Sequence, residues 1–232
     1  MAVVTMPVDL LVGAAMPGQA RYDIVEQSDS TGVQATRLLG PPRWKWQLRS
    51  LDNMSLAKAG QWESIVYSLR GRVNHLAVWD PMRPVPVGTA RGSMRLLNAV
   101  AAGATSMTLV GGTAGTLLTA DWLQVGSGLG ASQTVKLVAD TVSNPAVSTV
   151  FAWDNTGVFV WTNSGTFVWT DEGTLTVTFE APLRAAYPRD TAVTWSYPVT
   201  YCKAQNDSQQ SSYVPGFIGQ GGYSLDLLEA FS

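Results

Sequence analysis

The sequence predicts a mainly β fold with one α-helix and an inserted small antiparallel β-barrel or sandwich domain. Its 22 glycines and 12 prolines, with many Thr, Val and Trp residues, favour short strands and tight turns over long helices. One segment has clear helical periodicity, and strand-like pieces recur at short intervals after residue 88. At 232 residues the chain can form one or two domains, and these patterns favour two.

The first clear strand covers residues 43–49, where large apolar and polar side chains alternate. Trp44, Trp46 and Leu48 occupy one side of it, and period-two alternation is typical of a half-buried strand. The other side carries Arg43, Lys45 and Arg49. We interpret these cations as a solvated face, although in a ring-shaped oligomer they could meet acidic neighbours or point into the lumen.

The predicted helix covers residues 56–69, and its apolar side chains are spaced i, i+3, i+4 and i+7. They are Trp62, Ile65, Val66 and Leu69. Ser55 is a suitable N-cap, and Gly71 lies just beyond the end of the helix. We expect the helix to pack on a sheet, in a core made of Trp44, Trp46, Trp62, Ile65 and Leu69.

A proline-rich stretch, residues 81–87, separates this part of the chain from the next, so we place a domain boundary at residue 88. The second domain, residues 89–202, contains predicted strands at residues 106–110, 122–125, 133–139, 174–180 and 190–201. Residues 203–232 form a polar linker and an alternating apolar strand, 223–231. Because a short terminal strand needs a partner, we expect it to return to the domain of residues 1–88.

Residues 151–173 contain three near-copies of an eight-residue unit with the pattern Phe-x-Trp followed by a turn ending in Gly. An even period keeps equivalent side chains on one face if the units pair as strands that turn near Asn155, Asn163 and Asp171. The row of Trp and Phe side chains in these three units is either core or subunit contact, or an exposed surface that contacts a sugar or a receptor. Its candidate residues are Trp153, Trp161, Trp169, Phe159 and Phe167.

Candidates for chemistry are few, and we predict no catalytic, cofactor-binding or metal-binding residues. The only histidine, His75, lies in an apolar strand, where a lone histidine is usually a hydrogen-bonded core or interface residue and seldom a catalyst. The only cysteine, Cys202, is interpreted as a small buried apolar residue rather than a nucleophile. The glycine-rich residues 126–130 are not followed by a helix pattern or a Lys-Ser/Thr pair, so we interpret them as a turn.

The overall charge also limits the classes of partner. Charged residues make up 14% of the chain, well below the roughly 25% of ordinary soluble domains, which suits a subunit that buries its faces against neighbours. The formal net charge of −2 gives no basic footprint for phosphates, so we expect no nucleic-acid specificity. We expect no signal peptide, since the first apolar stretch follows no Lys or Arg, and no membrane insertion, since no apolar run reaches the roughly 20 residues of a span. Synthesis is therefore expected in the cytoplasm.

Seven runs of the sequence together suggest a family, and they are residues 39–46, 62–71, 77–81, 88–92, 101–109, 115–123 and 223–231. They resemble tail proteins of long-tailed bacteriophages, and their order is similar to that of the distal tail protein. The resemblance covers most of the chain and lies in texture and layout, since the family has no catalytic signature to match. The sequence departs from the common layout of this family in one respect, because its second domain is predicted to be inserted into the first and not appended after it.

The resemblance implies a β-sandwich ring (belt) domain and a non-enzymatic structural protein of the virion. It implies a homo-oligomer, a hexameric ring, at the tail tip, with the tail tube protein and the tip hub or baseplate as partners. The second hypothesis is a binding module of the tail, in which the tryptophan repeat contacts a host-surface glycan or a receptor.

Overall fold

The computed structural model describes residues 1–10, 12–27, 34–111, 115–144, 148–153, 165–170, 173–205 and 222–230. The elements in chain order are β1 (Val3–Thr5), β2 (Val12–Gln27), β3 (Gln34–Ser50), α1 (Leu56–Leu69), β4 (His75–Val78), β5 (Met94–Leu96), β6 (Ser106–Val110), β7 (Thr116–Leu117), β8 (Trp122–Gly126), β9 (Ser132–Leu137), β10 (Thr141–Asn144), β11 (Ser148–Trp153), β12 (Gly165–Thr170), β13 (Thr174–Glu180), β14 (Ala192–Thr194), β15 (Thr200–Ala204) and β16 (Ser224–Glu229). The predicted mainly β class with one helix is therefore correct for the described residues.

The two ends of the chain build one six-stranded sheet in the order β1, β4, β15, β16, β3, β2. All neighbours in it are antiparallel except β1 and β4, which are parallel. The predicted return of the terminal strand is confirmed, because Leu225 pairs with Leu48 and Leu227 with Trp46. We call this element the end-strand sheet.

Residues between the two parts of the sheet form a closed six-stranded antiparallel barrel. Its strands follow the closed order β5, β14, β8, β9, β13, β6 and back to β5. Strands β10 and β7 extend from β13 beside it, and the barrel interior is filled by side chains such as Leu96, Leu123, Val135 and Phe179. Of the two predicted alternatives for this segment, barrel or sandwich, the described residues form the barrel.

Helix α1 has the predicted bounds and packs on the end-strand sheet. The Ser55 side chain accepts a hydrogen bond from the Lys58 backbone N–H, and Arg70 ends the helix in the left-handed conformation, φ 48°. These caps satisfy terminal backbone groups that the helix itself cannot. The apolar stripe is buried in the same core as the sheet, and the predicted core residues Trp44, Trp46, Trp62, Ile65 and Leu69 all belong to it.

Two expectations about strands are corrected. The predicted single strand over 190–201 is two strands, since β14 belongs to the barrel and β15 to the sheet. Tyr197, at φ 48°, and Pro198 lie between them, where the chain crosses from one unit to the other. The sheet therefore resumes at Thr200, slightly before the boundary expected at residue 203.

The long strand β2 was not expected from the sequence. It pairs with β3 from Val12↔Ser50 out to Gln27↔Gln34, with register shifts near Gly13 and Arg21. Strand β16 pairs with β3 only from Arg49 to Lys45, so the rest of β3 and β2 form a two-stranded hairpin beyond the sheet. The seven residues of β3 from 34 to 40 alone span roughly 20 Å of this hairpin.

Candidate functional site: the sheet–barrel junction and the free sheet edges

Three tryptophans form the contact between the end-strand sheet and the barrel. Trp44 and Trp46 on β3 pack against Trp122, the first residue of β8, with ring centroids 4.6 and 5.5 Å apart. All three are nearly fully buried. The Trp44 indole N–H donates to the Thr134 backbone carbonyl of the barrel at 2.9 Å. Trp122 therefore belongs to the core of the sheet although its strand belongs to the barrel.

Two buried carboxylates hold the first connecting segment. Asp80 accepts a hydrogen bond from the Trp122 indole N–H at 3.0 Å and another from the Met82 backbone N–H at 2.9 Å. Asp121 accepts from the backbone N–H groups of Val87, Gly88 and Leu118, at 2.8 to 3.3 Å. Buried carboxylates need such partners because an unpaired charge is costly to bury. Both acids therefore have structural partners that account for their burial.

A buried ion pair joins the last strand to the barrel side of the junction. Glu229 on β16 accepts from the Arg184 guanidinium at 2.7 Å and from the Trp44 backbone N–H at 2.9 Å. Burial raises the pKa of the Glu229 carboxyl above its ordinary value, although the Arg184 charge and these hydrogen bonds act in the opposite direction. The pair lines a cleft of about 330 Å³, which Tyr187, Thr200 and other polar residues also line.

His75 and Cys202 do not form a catalytic pair. Cys202 lies opposite Leu76 in the ladder and faces the core, so His75, one residue earlier on β4, points to the opposite face of the sheet. Burial raises the pKa of the Cys202 thiol well above its usual range, which keeps it a protonated apolar residue, as expected. Burial, with the charges of Lys203 and the N-terminal amine, lowers the pKa of His75.

The hydrogen bonding of His75 is incomplete within the part of the chain that the structure describes. The side chain is buried, but its Nδ1 atom has no hydrogen-bond partner among the described residues. Nowhere in the described residues does a group of three or more His, Cys, Asp or Glu side chains lie close enough together to hold a metal ion. The glycine run at 126–130 is a turn, with Gly126, Gly128 and Gly130 all at positive φ.

The end-strand sheet is open, and its two edges are unlike. Within the described residues, β1 and β2 each pair with one neighbour, so each leaves one side without a strand. The β1 edge has three residues, whereas the β2 edge has sixteen and includes Met16, Tyr22 and Ile24, which are exposed. An exposed strand edge presents unpaired backbone N–H and C=O groups that another strand can bind.

The tryptophan repeat is described only in part. Strand β11, from the first copy, pairs directly with β12, from the third copy, with Phe151 opposite Phe167 and Trp153 opposite Gly165. Trp169 lies opposite Thr149 in the same ladder. Phe159 and Trp161 of the second copy, and the predicted turns at Asn155, Asn163 and Asp171, lie outside the described residues. The ladder therefore joins mainly the first and third copies, and its one residue from the second copy is Gly165.

The sequence signal for the junction was present but incomplete. The alternation of residues 43–49 predicts that Trp44 and Trp46 are core residues, whereas the sequence places Trp122 only on a strand. Its role depends on a contact between residues far apart in the chain.

No family model matches the sequence, and a search of curated proteins finds no match either. None of the described helices is both long and apolar enough to span a membrane.

Proposed function

We propose that this chain is a non-enzymatic structural subunit of a bacteriophage tail tip, similar to a distal tail protein. Copies would join into a ring, a hexamer in the family it resembles, with the end-strand sheet as the β-sandwich-like belt and the barrel projecting from it. The ring would connect the tail tube protein to the tip hub or baseplate. The mature location would then be the virion, after synthesis in the host cytoplasm.

The observation that carries this proposal is the open sheet with two unlike free edges and a long hairpin beside them. Contacts between unlike surfaces are heterologous, and they close into rings when the rotation between copies allows it. A contact between two identical edges would stop at a dimer. The hairpin formed by residues 21–27 and 34–40 extends beyond the sheet, where it can reach a neighbouring copy.

The second support is the fixed position of the barrel. The Trp44, Trp46 and Trp122 cluster and the Arg184–Glu229 ion pair attach it to the sheet. A ring subunit must place its outer domain in the same position in every copy, and a packed junction provides this. The low content of charged residues, 14%, also suits faces that are covered by neighbours.

The test compares the mass of the purified chain with that of two shortened variants. In the first, residues 21–42 are replaced by Asn-Gly, which closes a tight hairpin after Ala20 and before Arg43, a pair in the present ladder. In the matched control, residues 148–170 are replaced by Gly-Ser, which removes a similar length from the barrel side. Mass photometry should show a ring near six times 24.8 kDa for the full chain and the control.

The hairpin variant should remain folded, by circular dichroism, and should be a monomer. A ring that survives the loss of the hairpin would show that the hairpin does not connect copies. A full chain that stays monomeric at micromolar concentration, alone and with the tube protein, would contradict the proposal.

The alternative, a glycan- or receptor-binding module, rests on the tryptophan repeat. Replacing Trp153, Trp161 and Trp169 together by Ser should leave the ring intact if the repeat is peripheral. Loss of binding to host cells by an otherwise assembled triple variant would favour this second function, whereas failure of the subunit to fold would make the row part of a core.

A further inference from the structure

One face of the end-strand sheet carries most of its charge. Strand β3 alternates buried and outward residues from Trp44 to Ser50, and β15 and β16 alternate in the same way. The buried side of these three strands faces α1 and the tryptophan cluster, so their other side faces outward. We call the outward side the basic sheet face. Its charged residues are Arg43, Lys45, Arg49, Lys203 and Asp226, and Arg72 reaches its end by donating to the Gln205 carbonyl.

This face is strongly positive in a chain that is negative overall. Five cations and one carboxylate give the face a formal charge of +4 (5 − 1), while the whole chain has −2, so the rest of the chain carries −6 (−2 − 4). Within the described residues, Lys45, Arg49 and Lys203 form no ion pair. Lys45 and Arg49 are four residues apart on β3, roughly 13 Å along the strand, so like charges repeat along the face.

The residues between the cations are apolar or small. Leu228 and Tyr201 are half-buried on the face, and Met16 on β2, opposite Gln47, is 54% exposed. Ala14 and Gly18, opposite Arg49 and Lys45, leave the adjoining strip of the sheet flat. Arg, Met and Tyr are enriched in protein interfaces, so this composition fits contact with another protein.

A nucleic acid fits this face less well. Single strands bind on exposed aromatic side chains that stack with successive bases, and Tyr201 is the only aromatic residue among the described outward positions of β15, β16 and the part of β3 that pairs with β16. A broad sheet face does not enter a groove of duplex DNA as a helix or a two-stranded ribbon does. Exposed Met16 adds nothing to phosphate contacts but buries well against an apolar side chain.

We propose that the basic sheet face is a docking surface for an acidic, amphipathic protein surface. Carboxylates of the partner would lie against Lys45, Arg49 and Lys203, and its apolar side chains would cover Met16 and Leu228. Charge complementarity would accelerate association and fix the orientation of the partner. The proposal goes beyond ring formation and does not require it, because Lys45, Arg49 and Lys203 lie on β3 and β15, which are interior strands of the sheet and not its edge strands.

The test uses four labelled probes with the full chain. They are an amphipathic helical peptide with Glu on one side and Leu on the other, the same peptide with Gln in place of Glu, a duplex DNA and a single-stranded DNA. The face variant is Lys45→Glu, Arg49→Glu and Lys203→Glu. The matched control, Arg70→Glu, Arg83→Glu and Arg189→Glu, changes the net charge equally at exposed or partly exposed residues that do not belong to the three face strands.

Fluorescence anisotropy should show that the acidic peptide binds at least about tenfold more tightly than the Gln peptide at low salt, since exposed charge pairs are screened by salt. The face variant should lose about tenfold or more in affinity, and the control variant should stay within about twofold. Circular dichroism checks that each variant is folded. If the face variant is unfolded, the neutral variant Lys45→Gln, Arg49→Gln, Lys203→Gln replaces it with the same expected direction.

Equal losses in the face and control variants would show that only net charge matters and would overturn the proposal. So would the absence of acidic-peptide binding. Tighter binding of either DNA than of the acidic peptide, lost in the face variant, would assign the face to nucleic acid instead. Ring formation is tested separately by the mass of the purified chain. Failure of the ring proposal and failure of the docking proposal can therefore be told apart.

Discussion

Removing the Trp122 side chain should destabilise the whole molecule, because this residue connects the barrel to the core of the sheet. Trp122 is 2% exposed, packs on Trp44 and Trp46, and donates a hydrogen bond to Asp80. Truncating a buried Trp to Ala typically costs about 3–5 kcal/mol. Leaving a buried acceptor without its donor adds about 1–3 kcal/mol. We therefore expect Trp122→Ala to lower the free energy of unfolding by about 5 kcal/mol.

For a chain of this length, such a loss lowers the melting temperature by roughly 10–20 °C. Trp122→Phe retains an aromatic ring but removes the indole N–H, so it should cost about 1–3 kcal/mol, between wild type and Trp122→Ala. Trp195→Phe is the matched control. It also loses an indole hydrogen bond, to the Gly92 carbonyl, but at a half-exposed position, and it should cost less than Trp122→Phe.

The assay is urea unfolding followed by circular dichroism, which does not depend on tryptophan fluorescence, combined with calorimetry. Wild type should unfold in one transition if the junction couples the two units. Trp122→Ala should split it into two, because the barrel and the sheet each keep a core of their own. A Trp122→Ala loss below about 1 kcal/mol with one unchanged transition would refute the role assigned to this contact.

The remaining predictions concern buried groups. Because folding raises the pKa of the Glu229 carboxyl, this group stabilises the folded state below the pKa of the unfolded carboxyl, and the stabilisation is lost as pH rises through the folded pKa. Glu229→Gln should therefore flatten that part of the curve of unfolding free energy against pH, measured with urea. Folding lowers the pKa of His75, so this group stabilises the folded state above the pKa of the unfolded imidazole, and the stabilisation is lost as pH falls through the folded pKa. If His75→Gln leaves the fall in unfolding free energy at acidic pH unchanged, this prediction is contradicted. Trp62→Ala should lose about 3–5 kcal/mol, since Trp62 is fully buried and stacked on Tyr223, and Trp62→Phe should recover most of it in the same unfolding assay.

The parts of the fold that the sequence predicted are those with a local period and a complete core face. Helix α1 and the inner part of β3 have such patterns, and their side chains are buried as expected. Strand β2 has no such pattern, because it lies at the edge of the sheet and carries Gly13, Pro17 and Gly18. An edge strand is packed on by fewer neighbours, so its sequence is less constrained toward alternation.

Candidate sites were harder to predict because they depend on residues far apart in the chain. Asp80 and Trp122 are 42 positions apart, and Arg184 and Glu229 are 45 apart. The net charge of the chain also does not show how its charges are distributed. A total of −2 gives no sign of a basic surface, and the alternation of β3 places only Arg43, Lys45 and Arg49 on one side; neither shows that Lys203 of β15 lies on the same face. That arrangement follows only from the register of β3, β15 and β16.

The inserted topology also determines how freely the barrel can move. An appended domain has one connection to the rest of the chain, whereas this barrel has two, and they are hydrogen-bonded to each other through the Tyr197 N–H and the Pro84 carbonyl at 2.7 Å. The second connection is also bound to the barrel, because the Val199 N–H donates to Gln124 and its carbonyl accepts from Thr134. A hinge needs a few residues whose backbone angles can change without breaking such bonds. Reorienting the barrel would therefore require breaking these hydrogen bonds together with the Trp44–Trp122 contact, so the sheet and the barrel should move as one body.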